Sequence, residues 1–269
     1  MEKKIGFIGC GNMAKAIISG LVAGGSINPA NIWVYDRKPA TNTMMQEQYG
    51  ITPAESAEEV ARQSDILFGA VKPNVILTVL KDLVSSLKKD SVVVSIAAGV
   101  TLDSLAGVLG HDRKIIRVMP NTPSLVNEGM TSVTPNVLVS HEEASEVVDI
   151  FNSFGKAELV AEYLIHSVVG VSGSAPAYVF MFIEAMADAA VLGGMPRAQA
   201  YRFAAQAVKG SAQMVIETGK HPGELKDMVC SPAGTTIEAV KVLEDKGFRA
   251  AVMEAIQQCM AKSERMSKA

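Results

Sequence analysis

Short apolar runs alternate with helix-forming stretches through the first 160 or so residues of the chain. The runs that we predict as strands are residues 5–8, 31–36, 51–52, 65–71, 91–96 and 114–119. Several of these runs are apolar at almost every position, which is typical of parallel strands that are covered on both faces. Strands that alternate with helices at this spacing predict a doubly wound parallel sheet.

The pattern changes after Ala161, because strand signals end there and only helical sequence follows. Weaker strand signals come just before, at residues 131–133 and 157–160. The helices predicted after the change are 175–192, 196–218, 222–229, 234–246 and 248–267. Proline near helix starts and glycine near helix ends agree with capping preferences. The chain therefore predicts an α/β domain over residues 1–162 and an all-helical domain over residues 163–269.

The first strand ends in a glycine-rich turn that opens the first helix. Its motif is Gly-x-Gly-x-x-Ala, formed by Gly9, Gly11 and Ala14. The first glycine allows the tight turn, the second lets a pyrophosphate approach the backbone, and the alanine lets the helix pack on the strand. Asn12 and Met13 begin the helix, where free N–H groups can bind an anion. Strand, turn and helix in this order predict a Rossmann-type dinucleotide-binding domain.

The end of the second strand is where a Rossmann unit meets the adenosine ribose of its cofactor. Asp36 stands there, and an acid at this point usually accepts the ribose 2′-hydroxyl and favours NAD(H). Arg37 and Lys38 follow directly, and two cations could instead hold the 2′-phosphate of NADP(H). The two signals conflict, and a solvated turn is the alternative role for the cations.

Three further strand ends carry small or proline-containing segments. Ligands of doubly wound folds bind outside the carboxyl ends of the strands, so we expect these segments and the glycine-rich turn to share one crevice. The residues of these segments that we predict to bind the cofactor are Val71, Lys72, Pro73, Ala97, Ala98, Gly99 and Asn121.

Composition and charge narrow the class of protein. The 269 residues carry a formal net charge of −3 without any basic block, which argues against nucleic acid as a partner. The three cysteines are widely spaced and match no metal or disulfide pattern, so we predict no metal site and a reducing cytoplasm. The first predicted strand begins within a few residues, so we expect no signal peptide.

Residues 167–183 are uncharged and largely apolar, as membrane spans are. Ser172, Gly173, Ser174 and Pro176 interrupt this segment, and its uninterrupted part is shorter than the roughly 20 residues that a span needs. We therefore expect no membrane segment here and interpret the segment as a helix buried in protein.

A Rossmann domain joined to a helical domain suggests hydride transfer. Oxidation of an alcohol requires a positioned general base, but helix 175–192 offers only Glu184 and Asp188. Reduction of an imine requires less, because a protonated C=N group already accepts hydride and needs only to be aligned. The turn that begins at Ser231 offers hydroxyl groups and helix-start N–H groups, which can bind a carboxylate or simply cap the helix.

Six ordered blocks of the sequence closely resemble the pyrroline-5-carboxylate reductase family. Both predicted domains are covered, and the last block is the family's signature. The blocks are residues 9–14, 71–73, 95–99, 117–123, 171–178 and 227–236.

The resemblance implies reduction of 1-pyrroline-5-carboxylate to L-proline with NAD(P)H, the final step of proline biosynthesis. It implies NADPH as the preferred cofactor, with NADH as the alternative. It also implies a homodimer with interleaved helical domains, often assembled into a decamer. The family's carboxylate-binding loop corresponds to Gly234, Thr235 and Thr236, and Ser231 is expected to bind the substrate together with them. The hydroxyl proposed as the proton donor corresponds to that of Thr236, which makes it the expected catalytic residue.

Two other functions stay open from the sequence. One is a reductase of another small cyclic imino acid, such as the six-membered homologue. The other is a dinucleotide-sensing module without turnover. Whichever function the chain has, helix 175–192 is too apolar around its circumference for the surface of a monomer. We therefore expect a second subunit to bury this helix. For the reductase, we expect the partner's 231–236 segment to complete each active site.

Overall fold

The computed structural model describes residues 2–25 and 27–267. The chain divides into two compact units. One runs to Gly173 and takes in the end of the chain from Met260, and the other is Ser174–Cys259. The predicted domain boundary after residue 162 falls within the first of these units, and the assignment of residues 163–269 to a separate domain stays a prediction.

The first unit contains one sheet, which has eight strands among the described residues. The strands are β1 (Ile5–Ile8), β2 (Ile32–Tyr35), β3 (Thr52–Pro53), β4 (Ile66–Gly69), β5 (Val92–Ser95), β6 (Lys114–Met119), β7 (Gly129–Pro135) and β8 (Gly155–Leu159). Their order is β3-β2-β1-β4-β5-β6-β7-β8, and the first six in chain order pair in parallel. The order reverses at β1, which β2 and β4 flank, and this reversal is where doubly wound folds bind ligands.

One strand departs from the predicted parallel arrangement. β7 runs antiparallel to β6, with Val118 opposite Val133, and β8 then pairs in parallel with β7. The cause lies in the connection, where a 3₁₀ turn over Thr122–Val126 is followed by Asn127 in the left-handed region with φ of 61°. The chain therefore returns at once, without the long crossover that a parallel neighbour requires.

Seven helices of the described chain belong to the first unit. They are α1 (Asn12–Ala23), α2 (Pro39–Tyr49), α3 (Ala57–Gln63), α4 (Pro73–Leu83), α5 (Leu102–Leu109), α6 (His141–Asn152) and α7 (Ile165–Val168). Helices α1 to α6 cover both faces of the sheet. Successive strand residues point to opposite faces and so enter two separate cores, one on each face. In β4, Phe68 joins the core formed with α1, α2 and α6, whereas Leu67 joins the core formed with α3, α4 and α5. The predicted Rossmann-type fold is confirmed.

The second unit is helical, as predicted. Its helices are α8 (Ala175–Leu192), α9 (Arg197–Thr218), α10 (Pro222–Val229), α11 (Thr235–Asp245) and α12 (Phe248–Ser267), the last turns of which belong to the first unit. Its buried residues, among those described, are the alanines Ala187, Ala200 and Ala204 on α8 and α9. Large apolar side chains such as Phe180 and Met181 are more than half exposed. Such a surface is typical of a protein interface.

The helical run Glu162–Leu192 is, within the described residues, the one that is long and apolar enough to cross a bilayer. The run has 31 residues and its most apolar part has a mean hydropathy of 1.5, so the expectation that its apolar part is too short is wrong by length and composition alone. A π-helical turn over Val169–Gly173 carries the chain through the segment that we interpreted as an interruption. Only 6% of its most apolar part is buried within the single chain.

Candidate cofactor and substrate sites

A cavity of about 770 Å³ lies at the carboxyl ends of β1, β2 and β4, where the strand order reverses. Cofactor pockets span roughly 300–1,000 Å³, so the size suits a dinucleotide fragment. The predicted cofactor residues that line it are Gly9, Gly11, Asp36, Arg37, Lys38, Val71 and Lys72. Of the described residues, Asn12, Met13, Ala14, Pro73, Ala97, Ala98, Gly99 and Asn121 lie outside this lining.

Gly9 fixes the turn between β1 and α1. Its φ of +94° lies in the region that favours glycine, and its N–H donates to the carbonyl of Tyr35 at 2.8 Å. A Cβ atom at this position would lie 2.7 Å from the carbonyl oxygen of Ala70 and 2.9 Å from Cγ1 of Val71. Only glycine therefore fits between β1 and the end of β4.

Gly11 leaves space on the side where α1 begins. It is the N-cap residue of α1, and a Cβ atom added to it would meet nothing within 4 Å. No side chain caps the first turn, so the N–H groups of Asn12 and Met13 remain for an anion. Ala14 is buried against the first core and allows the close packing of helix on strand. A pyrophosphate fits this cradle.

The carboxylate of Asp36 is occupied by backbone groups of the protein. Its Oδ2 accepts the N–H of Cys10 at 3.0 Å, and its Oδ1 accepts the N–H of Lys38 at 3.0 Å. Arg37 and Lys38 are exposed at the edge of the cavity. The segment after β2 therefore exposes the cationic side chains of Arg37 and Lys38, whereas the carboxylate of Asp36 faces the glycine-rich turn.

The ends of β4 and β5 carry the next predicted cofactor residues. Lys72 is the exposed N-cap residue of α4, and Pro73 is its first helical residue, with no side chain capping the turn. After β5, Ala97 is buried and its N–H donates to Oγ of Ser95 at 3.3 Å. Ala98 is exposed, and Gly99 follows with φ of +80°. Both segments lie at the carboxyl edge of the sheet, as expected.

Asn121 ties three segments of the first unit together. Its Oδ1 accepts the N–H of Met130 at 2.9 Å, and its Nδ2 donates to the carbonyl of Ser172 at 3.0 Å. The second of these bonds satisfies a carbonyl within the π-helical turn. The amide thus has a structural role, and its contact with a cofactor stays a prediction.

The predicted substrate loop leads into α11 in the second unit. The N–H of Gly234 donates to the carbonyl of Ser231 at 3.0 Å, and Ala233 adopts a positive φ of 59°. A Cβ atom on Gly234 would lie 2.3 Å from Oγ of Ser231, which can rotate away, and 3.1 Å from the carbonyl oxygen of Ser231, so a larger residue would fit only tightly there. No side chain caps α11, which leaves the N–H groups of Thr235 and Thr236 for a carboxylate.

Cys10 lies in the glycine-rich turn but is not a reactive thiol. Burial, and to a lesser extent the negative charge of Asp36, raise its pKa from the ordinary 9.0 to about 12. The thiol therefore stays protonated at neutral pH and packs in the first core. Among residues 2–25 and 27–267, no group of three or more His, Cys, Asp and Glu side chains could hold a metal ion.

Sequence reasoning missed three residues near the cofactor cavity. Thr41 and Glu58 line it, and a hydrogen bond from the backbone N–H of Glu58 and another from Ser56 lower the pKa of the Glu58 carboxyl. Asn42 bonds the backbone of Asp36 on both sides, with distances of 2.8 and 2.9 Å. No motif marks these residues, because their roles depend on how α2 and α3 pack beside β2.

Comparisons with known proteins identify the family. Residues 4–99 match the family model described as "NADP oxidoreductase coenzyme F420-dependent", and residues 162–266 match "Pyrroline-5-carboxylate reductase dimerisation". The pyrroline-5-carboxylate reductase of Escherichia coli (strain K12) is 70% identical over 268 residues, which cover 100% of both chains.

Solved structures agree with this result. A pyrroline-5-carboxylate reductase from Coxiella burnetii is 34% identical, with a TM-score of 0.95 over 100% of both chains. The Plasmodium falciparum pyrroline carboxylate reductase with NADP bound is also 34% identical, with a TM-score of 0.86 over 98% of both chains. With its fold, its glycine-rich cradle and its full-length relatives in agreement, the chain belongs to the pyrroline-5-carboxylate reductase family.

Proposed function

We propose that this chain reduces 1-pyrroline-5-carboxylate to L-proline, with NADPH as the preferred hydride donor and NADH as the alternative. The observation that carries the proposal is the 70% identity, over the whole chain, to a pyrroline-5-carboxylate reductase. The cavity under the glycine-rich turn supports the cofactor, because both its glycines meet the steric demands of a dinucleotide site.

The cofactor is proposed to lie across the carboxyl edge of the sheet, where it supplies a hydride. Gly9, Gly11 and the first turn of α1 hold its pyrophosphate through backbone N–H groups. Arg37 and Lys38 hold the 2′-phosphate that distinguishes NADP(H). The other predicted contacts, from Val71–Pro73, Ala97–Gly99 and Asn121, follow along the same edge.

The substrate carboxylate is proposed to bind at the start of α11. The N–H groups of Thr235 and Thr236 are unoccupied there, and the turn from Ser231 to Gly234 fixes their direction. The Thr236 hydroxyl then holds the ring nitrogen as it gains electron density. A neutral hydroxyl is a poor acid, so we propose that it orients the nitrogen or relays a proton whose source is water.

The enzyme is proposed to work as a homodimer with interleaved helical domains. These dimers are proposed to assemble further into a decamer. The partner's 231–236 segment would complete each active site. The exposed apolar side chains of α8, Phe180 and Met181 among them, support a large interface, as does the dimerisation match over residues 162–266. The free thiols at Cys10, Cys230 and Cys259 support a cytoplasmic location.

The experiment that tests the activity follows the absorbance of NADPH with purified protein and 1-pyrroline-5-carboxylate, and measures proline as the product. We expect loss of NADPH and formation of proline in equal amounts. A higher kcat/KM for the six-membered imine would assign a different substrate. Cofactor binding without turnover of either imine would overturn the proposal in favour of a sensing module.

A further inference from the structure

Asn42 makes two hydrogen bonds to a single residue at the end of β2. The N–H of Asp36 donates to Oδ1 of Asn42 at 2.8 Å, and Nδ2 of Asn42 donates to the carbonyl of Asp36 at 2.9 Å. The side-chain amide thus satisfies both backbone groups of Asp36, as a neighbouring strand would. Asn42 is half-buried and is not among the residues that line the cofactor cavity.

This contact fixes the turn that carries the two cations. The backbone of Asp36 is held by Asn42, and its carboxylate is held by the N–H groups of Cys10 and Lys38. Arg37 lies between these anchored points, so its backbone has little freedom. An ordered backbone reduces the entropy that the side chains of Arg37 and Lys38 lose when they meet an anion.

We propose that Asn42 is a positioning residue for cofactor selection. It holds the turn over residues 36–38 in the conformation that presents Arg37 and Lys38 to the 2′-phosphate of NADP(H). The inference rests on the proposed function in one respect, the assignment of these two cations to that phosphate. NAD(H) lacks the phosphate, so its binding depends far less on this turn.

Helix α2 does not depend on the Asn42 side-chain amide alone for its stability. The N–H of Thr41 donates to the carbonyl of Lys38 at 2.9 Å, and Pro39 occupies the first helical position. Met45 anchors the helix in the first core with no exposed surface. Alanine is also a better helix former than asparagine. Asn42→Ala is therefore expected to fold.

The test measures direct binding of NADP⁺ and NAD⁺ by calorimetry. We expect Asn42→Ala to raise the Kd of NADP⁺ roughly three- to tenfold and that of NAD⁺ less than about twofold. The matched control is Thr43→Ala, which removes a hydroxyl that donates to the carbonyl of Pro39 on the same helix. The control should change neither Kd. Equal rises for both cofactors, or no rise, would overturn the proposal.

A double-mutant cycle separates positioning from general loosening. With Arg37→Ala and Lys38→Ala already in place, Asn42→Ala should have no further effect on NADP⁺ binding. A further loss of the same size would overturn the proposal. If Asn42→Ala does not fold, Asn42→Gln takes its place under the same criteria. Failure of the proposed reaction appears separately, as wild-type protein that forms no proline, because the binding measurements need no substrate.

Discussion

The carboxylate of Asp36 accepts the backbone N–H of Cys10 at 3.0 Å and so joins the end of β2 to the glycine-rich turn. An acid at the end of β2 usually accepts the ribose 2′-hydroxyl of NAD(H). Here its second oxygen accepts the N–H of Lys38, so each oxygen already serves the backbone. Asp36 therefore has a structural role in this turn, and each of its oxygens can still accept a second hydrogen bond from a bound cofactor.

Replacement of Asp36 by alanine is expected to weaken binding of both cofactors. The change removes the acceptor of Cys10 N–H and that of Lys38 N–H, and hydrogen bonds to a charged group contribute about 1.5–3 kcal/mol each. We expect the KM values for NADPH and NADH to rise together, by roughly tenfold. Asp90→Ala, at an exposed acid of the same unit, is the control. A lower KM for NADPH with a higher KM for NADH would instead identify Asp36 as the ribose acceptor.

Replacement of Arg37 by alanine is expected to affect only one cofactor. A guanidinium that pairs with a phosphate forms strong, charge-assisted bonds, and NADH offers no such partner. Steady-state kinetics should give a KM for NADPH that rises roughly tenfold, with the KM for NADH nearly unchanged. Lys89→Ala removes an exposed cation elsewhere in the same unit and should alter neither value. Equal effects on both cofactors would exclude Arg37 as the residue that recognises the phosphate.

The free energy of unfolding is expected to fall in alkaline solution because the pKa of Cys10 is raised in the folded chain. Its pKa is about 12 in the folded chain, mainly through burial, and 9.0 ordinarily, so the folded state holds the thiol proton more tightly. The contribution is complete below pH 9.0 and is lost as the pH rises toward 12. Urea unfolding at about pH 8 and about pH 10 should show a loss of roughly 1 kcal/mol that Cys10→Ala lacks. The same loss in both proteins would contradict the assignment.

The apolar face of α8 gives a prediction about assembly. Phe180 is 62% exposed in the single chain, so an acid there should place a charge within the proposed interface. We expect Phe180→Glu to sediment as a monomer and to lose most of its activity. Val137→Glu introduces the same acidic side chain at a fully exposed apolar position outside the dimerisation match, and should leave both properties unchanged. A monomer with full activity would contradict a shared active site.

The sequence predicted the helices of the second unit closely, because proline and glycine mark their ends. Helices α8, α10 and α12 have the predicted bounds, α9 begins one residue later than predicted, and α11 is one residue shorter at each end. The π-helical turn over Val169–Gly173 could not be predicted, since its glycines and serine have low helix propensity. Its stability depends partly on Asn121, a residue distant in sequence that bonds the carbonyl of Ser172.

The glycine-rich cradle was also predictable, because sterics alone require glycine at position 9. The direction of β7 was not, since the hydrophobic pattern of a strand is the same in either direction. Polar contacts between residues distant in sequence could not be predicted either. The bond between Asp36 and Cys10, for example, depends on the pairing of β1 with β2 and on the turn after each strand.

The chemistry of the site can be tested at the Thr236 hydroxyl. In the proposed mechanism this hydroxyl holds the ring nitrogen, whereas the backbone N–H groups of Thr235 and Thr236 hold the carboxylate. Removal of the hydroxyl therefore leaves the carboxylate site and the cofactor site intact. The protonated imine already accepts hydride, so the loss should be limited to roughly ten- to a few hundredfold in kcat, about 1–3 kcal/mol.

Thr236→Ala should therefore lower kcat and leave the Kd of NADPH unchanged, while Thr236→Ser should recover part of the loss because it restores a hydroxyl. Ser211→Ala is the control, since its hydroxyl donates to the carbonyl of Ala207 on α9 and takes no part in the proposed site. Stopped-flow measurement of hydride transfer would place the effect on the chemical step. If Thr236→Ala matched the wild type at saturating substrate, the hydroxyl would have no catalytic role. The loop would then serve only to bind the carboxylate through its N–H groups.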